Sequence, residues 1–200
     1  MGAKVDLMSK RDLAQLAVVG QSLEVLDWIL YDKLTFTTGG TQTAFRYFQQ
    51  AQGNAGLSLE ATNMEIPGQL PAGYKFVAQK IVMTPRQGLA IGSVSAKDAF
   101  AVTHRGSAQF FIGTRPYLQC PVSNLIGGAF VGFAAATSAA VDVAYVAPRT
   151  VINGEMEYSP VIPANFSFSV LLNYDAAPVL TANIDAYVQI VGKLIRPRQG

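Results

Sequence analysis

From Leu34 onward the apolar residues stop recurring at spacings of three and four and begin to alternate. This change of period constrains the fold more than any other feature of the chain. A stripe at three and four marks one side of a helix, whereas alternation marks a strand with one buried face. Leu34–Thr38 reads as a short strand stopped by Gly39-Gly40, and Thr43–Phe48 as another before a polar loop over Gln49–Gly56. Tyr74–Thr84 alternates between Pro71 and Pro85, with Val77, Ile81 and Met83 on one face and Gln79 interrupting them. Phe100–Thr103 and Ser107–Ile112 flank the turn signal Arg105-Gly106, and Val141–Val146 is a further candidate strand. Thr150–Ile152 runs into Asn153-Gly154, the strongest hairpin signal in the chain. Phe166, Phe168, Val170 and Leu172 alternate with Ser167, Ser169 and Leu171. In the last segment Ile184, Ala186, Val188, Ile190 and Leu194 oppose Asp185, Gln189 and Lys193.

The expected fold is therefore mainly β. It is a single antiparallel sandwich of about eight strands, preferably a jelly roll, with turn signals every ~8–15 residues and no strand–helix alternation. A different element is expected first. Ser9 and Asp12 form a helix-start pattern, and Leu16, Val19, Leu23, Leu26 and Leu30 continue at helical spacing. A helix is expected over about 9–19, and residues 21–32 either continue it or become a strand. The domain reading is a helical arm or cap over 1–33 and a β-sandwich over 34–200. Two roles stay open for the first segment: covering the sandwich's own core, or packing on a neighbouring subunit.

Charge narrows the function. Charged residues make up 14% of the chain and apolar residues 50%, whereas soluble domains carry about 25% charged residues. Three explanations compete: a membrane protein, a secreted domain, or a subunit that hides its surface against copies of itself. The least charged stretch, Pro116–Pro148, is broken by Pro121, Gly127, Gly128 and Gly132. It offers no run of about 20 apolar residues for a membrane helix. No signal peptide is expected, because Lys4, Asp6, Lys10, Arg11 and Asp12 crowd the N-terminus. A net charge of +2 is too small to indicate nucleic-acid binding. Self-association is the favoured account.

Residues suited to catalysis are sparse. His104 and Cys120 are the sole histidine and cysteine. They lack the local patterns of a catalytic triad or a zinc site, and both are expected to be chemically dispensable. Gly127-Gly128 reads as a turn. Glu155 and Glu157 would share one side of a strand and could hold Ca²⁺, but solvated surface acids are the expectation. Asn165-Phe166-Ser167 matches a glycosylation sequon by spacing, expected to be chance, and Arg196 and Arg198 read as a solvated tail. No catalytic, cofactor-binding or metal-binding residue is expected, and the chain is not read as an enzyme.

Certain phrases carry a resemblance. Gln49-Gln-Ala-Gln-Gly53 leads to Thr62-Asn-Met-Glu-Ile-Pro-Gly-Gln-Leu-Pro71, followed by Phe110-Phe-Ile-Gly-Thr-Arg-Pro-Tyr-Leu118 and then Pro121. Ile162-Pro-Ala-Asn-Phe-Ser-Phe-Ser-Val170 precedes a last strand closing on Gly192-Lys-Leu-Ile-Arg196. Over roughly residues 34–196 this order resembles small jelly-roll capsid proteins of tailless icosahedral bacteriophages. The resemblance implies a virion shell subunit, made in the host cytoplasm and present in many copies. Its implied partners are copies of itself, other virion proteins, and the genome or an internal membrane, with no small-molecule substrate and no cofactor. The rival readings are a lectin-like or other ligand-binding sandwich and a minor virion protein at a vertex or spike base. A cupin-like enzyme would need more histidines. Trp28, the only tryptophan, falls in the segment read as helical, which weighs against a lectin site.

Overall fold

The computed structural model describes residues 7–8, 23–86, 96–126 and 159–198. Its strands are β1 (Leu7–Met8), β2 (Leu23–Phe36), β3 (Ala44–Tyr47), β4 (Lys75–Arg86), β5 (Ser107–Ile112), β6 (Arg115–Pro121), β7 (Ser159–Ile162), β8 (Phe168–Asn173) and β9 (Ile184–Pro197). Among the described residues one α-helix, α1, spans Ala96–Thr103. The strands form two sheets, and every ladder between them is antiparallel. The first sheet runs β7-β4-β9-β2, with the short β1 added at the β7 edge, and the second runs β3-β8-β5-β6.

Of the two readings left open for residues 21–32, helix or strand, β2 realises the strand from Leu23 onward. It pairs with β9 over all 14 residues of each strand, from Leu23 opposite Pro197 to Phe36 opposite Ile184. Residues 23–33 are thus strand, and the expected boundary between 33 and 34 falls inside it. The stripe Leu23, Leu26 and Leu30 misled because spacings of three and four ignore which neighbours are available. Here the long, well-patterned β9 supplies a ladder partner for every residue, and pairing overrides local periodicity. The helix expected over 9–19 lies outside the described residues, as do Val141–Val146 and the Asn153-Gly154 hairpin.

The interruption at Gln79 is a β-bulge. Ala78 pairs with Gly192, but the next paired residue, Lys80, faces Val191. One extra residue reverses which side chains point inward. Phe76 and Ala78 face the main core before the bulge, and Ile81 and Met83 after it, while Val77 lies on the opposite side. Gly192 sits against this kink. A Cβ there would lie 2.0 Å from the Val77 carbonyl oxygen and 3.0 Å from the Phe76 ring.

Inner-facing residues of both sheets build one apolar core. In β5 the burial alternates strictly, with Ala108, Phe110 and Ile112 inside. Phe36 of β2 stacks on Phe45 of β3 with ring centroids 3.9 Å apart, which joins the two sheets, and Tyr174 meets both rings edge-on. Phe48 takes a left-handed backbone conformation (φ 67°). Its N–H donates to the buried Asp32 carboxylate, which holds a geometry that ordinarily costs on the order of 1 kcal/mol or more.

Phe100–Thr103, which precedes the Arg105-Gly106 turn signal, is the end of the helix α1 within a fold read as mainly β. Ala99 and Val102, one helical turn apart, are both buried. The Asp98 carboxylate accepts from the Thr181 and Ala182 N–H groups and the Thr181 hydroxyl. The Tyr174 hydroxyl donates to the Val102 carbonyl. These distant contacts fix a segment too short to show its own period.

Candidate functional site

Among the described residues, the first sheet's edge at β2 brings three exposed large apolar side chains together. Even-numbered residues of β2 face the core, where Leu30 and Phe36 are buried, and odd-numbered residues face outward. Ile29 on the outer side is 44% exposed, Trp28 beside it 41%, and Leu59 on the adjoining loop 56%. With Asp27, Tyr31, Asn63, Val191 and Gly192 they line an open depression of about 490 Å³. Trp28 also forms a wall of a smaller hollow of about 140 Å³ with Leu30, Met64, Leu70, Tyr74 and Arg196.

Asn63 shapes this edge. Its side-chain carbonyl accepts from the Tyr31 N–H at 2.9 Å, and its amide donates to the Ile29 carbonyl at 2.7 Å. The Asn63 N–H reaches the Tyr31 carbonyl, and the Thr62 hydroxyl donates to the same oxygen at 3.2 Å. The Tyr31 hydroxyl donates to the Leu59 carbonyl. The loop therefore stays against the strand, and Leu59 is held at the rim of the depression.

Ion pairs between β2 and β9 flank the site. Asp27 pairs with Lys193, Glu24 with Arg196 at 2.8 Å, and Lys33 with Asp185 at 2.9 Å. The first two pairs are direct cross-strand neighbours in the β2–β9 register. Each pair adds little stability by itself. Together they leave an apolar hollow bordered by neutralised charge, which suits an interface centre better than a site for a charged ligand.

His104 follows α1, stacked on Phe100 with ring centroids 4.1 Å apart and its Nδ1 2.8 Å from the Thr103 hydroxyl oxygen. Burial lowers its pKa. Cys120 lies in β6 opposite Ala108, and burial pushes its thiol up, away from the reactive thiolate. Each is thus held on a separate element in surroundings that favour its neutral form. Asn165 is exposed in a turn at φ 56°. Arg196 is ion-paired rather than a solvated tail, while Arg198 is exposed. Glu155 and Glu157 lie outside the described residues. Among the described residues no group of three or more His, Cys, Asp or Glu side chains could hold a metal, and no helix is long and apolar enough to cross a membrane.

The edge hollow was not legible in the sequence, because Trp28 and Ile29 fall in the segment read as helical. The signal present was the pairing of Trp28-Ile29 with the Asn63 loop, which are far apart along the chain. Comparison with protein-family models, curated proteins and solved structures gives no match.

Proposed function

We propose that this chain is a structural subunit with a jelly-roll fold that self-assembles into an icosahedral bacteriophage capsid. The observation that carries the reading is the nesting of the strand pairs. β2 pairs with β9, β3 with β8, β4 with β7 and β5 with β6. Four nested pairs are what one long antiparallel ribbon produces when it rolls across two facing sheets. That is the jelly-roll plan, used by capsid and lectin domains. The low charge, the matched ion pairs and the apolar hollow at the β2 edge favour association with further copies. The bacteriophage assignment itself rests on the resemblance of the sequence phrases and is an analogy at the level of fold.

Analytical ultracentrifugation and negative-stain microscopy of the purified protein test this. Closed particles of uniform diameter are expected, and the double variant Ile29→Asp, Leu59→Asp should reduce particle yield at least tenfold while the chain stays folded. A monomer that persists at high concentration would overturn the proposal.

One observation favours the ligand-binding reading. Trp28 lies in a strand, half exposed between two hollows, so its expected helical placement no longer counts against a lectin-like site. Glycan-array binding by a monomeric protein, lost in Trp28→Ala, would establish that reading instead.

A further inference from the structure

Val179, in the loop between β8 and β9, is 79% exposed, more than any other large apolar side chain among the described residues. Single exposed apolar residues are common on protein surfaces, but this one is presented on a fixed backbone. Its neighbours Pro178 and Leu180 are both buried, beside Phe36 and Phe45. Just beyond them, the Asp98 carboxylate accepts from the N–H groups of Thr181 and Ala182. A β-branched side chain also has few rotamers to lose. Val179 is therefore a rigid apolar knob, and ordering it against a partner costs little entropy.

The knob and the hollow at Trp28, Ile29 and Leu59 lie too far apart to meet within one chain. Pro178 and Leu180 pack at Phe36 and Gly40, the end of the first sheet where Ile184 faces Phe36. The hollow lies where Ile29 faces Val191, seven residues along the same ladder and about 23 Å away. The two surfaces nevertheless match in character. Residues 176–184 carry no charge, and the Asp27 carboxylate beside the hollow is paired with Lys193. No unpaired charge has to be stripped of water when such surfaces meet. The opening of about 490 Å³ has room for the Val179 side chain.

We infer that Val179 of one copy seats in the hollow formed by Trp28, Ile29, Leu59 and Val191 of the next. This contact rests on the self-assembly reading proposed above, and it names both of the surfaces that meet. Knob and hollow are different patches of the chain, so the contact is head-to-tail: each copy gives one knob and receives one. A contact of this type repeats from copy to copy, and it closes into a ring when the rotation it imposes completes a full turn.

Cross-linking between two single-cysteine variants of the full-length protein tests this. In a Cys120→Ser background, Val179→Cys and Leu59→Cys are purified separately, mixed under assembly conditions and oxidised by dissolved dioxygen. Each disulfide takes one hydrogen from each of two thiols. Covalent dimers on a non-reducing gel are expected at least tenfold above those of either variant alone. Dimers in equal yield from one variant alone would show a like-on-like contact and overturn the inference. Particles whose thiols all stay free would also overturn it, yet leave the self-assembly reading standing. An unaltered protein that forms no particles would remove that reading, and the contact with it. Separately, Val179→Asp should lower particle yield at least tenfold at an unchanged urea midpoint, and normal particle yield from this variant would overturn the inference.

Discussion

The outer side of the first sheet has two halves built by the same strands. In one, Val77, Val161 and Ile195 are buried, with the partly buried Val25 packed against them. Four residues further along β2 and four back along β9, Ile29 and Val191 meet in register with comparable apolar character, yet Ile29 remains exposed. Hydrophobicity of the strands does not distinguish the halves. What differs is burial: Ile29 is exposed where Val77 is not, and the open half is the one with exposed apolar surface.

The contrast can be broken most severely at Val77. Val77→Asp places an uncompensated carboxylate in the closed half and should cost about 3 kcal/mol or more, read as a large fall in the urea midpoint or a failure to fold. A result within ~0.5 kcal/mol of the unaltered protein would mean that half is open in solution. Next comes the junction between the halves, where Gly192→Ala forces a Cβ onto the Val77 carbonyl. A loss of about 1–3 kcal/mol is expected by the same measurement, as for other overpacked sites.

Asp32 probes the inner side of the open half. Burial raises its pKa, and hydrogen bonds from the Phe48 and Lys33 N–H groups and the Thr62 hydroxyl offset this in part. The folded chain therefore holds the Asp32 proton to higher pH than the unfolded chain. Its contribution to stability falls as pH rises from about 4, the ordinary carboxylate value, through the raised folded value. Urea midpoints of Asp32→Asn and the unaltered protein, compared at both ends of that window, should show this fall only in the unaltered protein. The smallest stability effect is expected at the open half's outer side. Ile29→Ser should change folding stability by no more than about 0.5 kcal/mol, so any loss of particles would report on assembly.

What was legible in the sequence follows from how much of each strand's surroundings the strand itself encodes. β8 and β9 each have one strongly buried face, and their alternation appears directly in the residues. Gln79 announced a break in β4, although its identity as a bulge needed the Gly192 register. β7 was missed because Ser159–Ile162 is buried at every position, which leaves no alternation to see. β6 was missed for the opposite reason: it is an edge strand with prolines at 116 and 121 and no fully buried residue. β2 was half-read as helix because its upper and lower parts face different neighbours. Those same neighbours, the Asn63 loop above all, create the candidate site, so strand and site went unseen together.

The Asn63 amide at Ile29 and Tyr31 has a consequence for growth. It occupies backbone positions that another strand would need in order to join the sheet at this point. Open-ended ribbons, stacked edge to edge by main-chain pairing, are therefore blocked along this stretch of β2. Copies that meet there as proposed would have to recognise one another through side-chain shape and angle. Contacts of that kind fix the angle between neighbours, and fixed angles are what allow an assembly to close and stop.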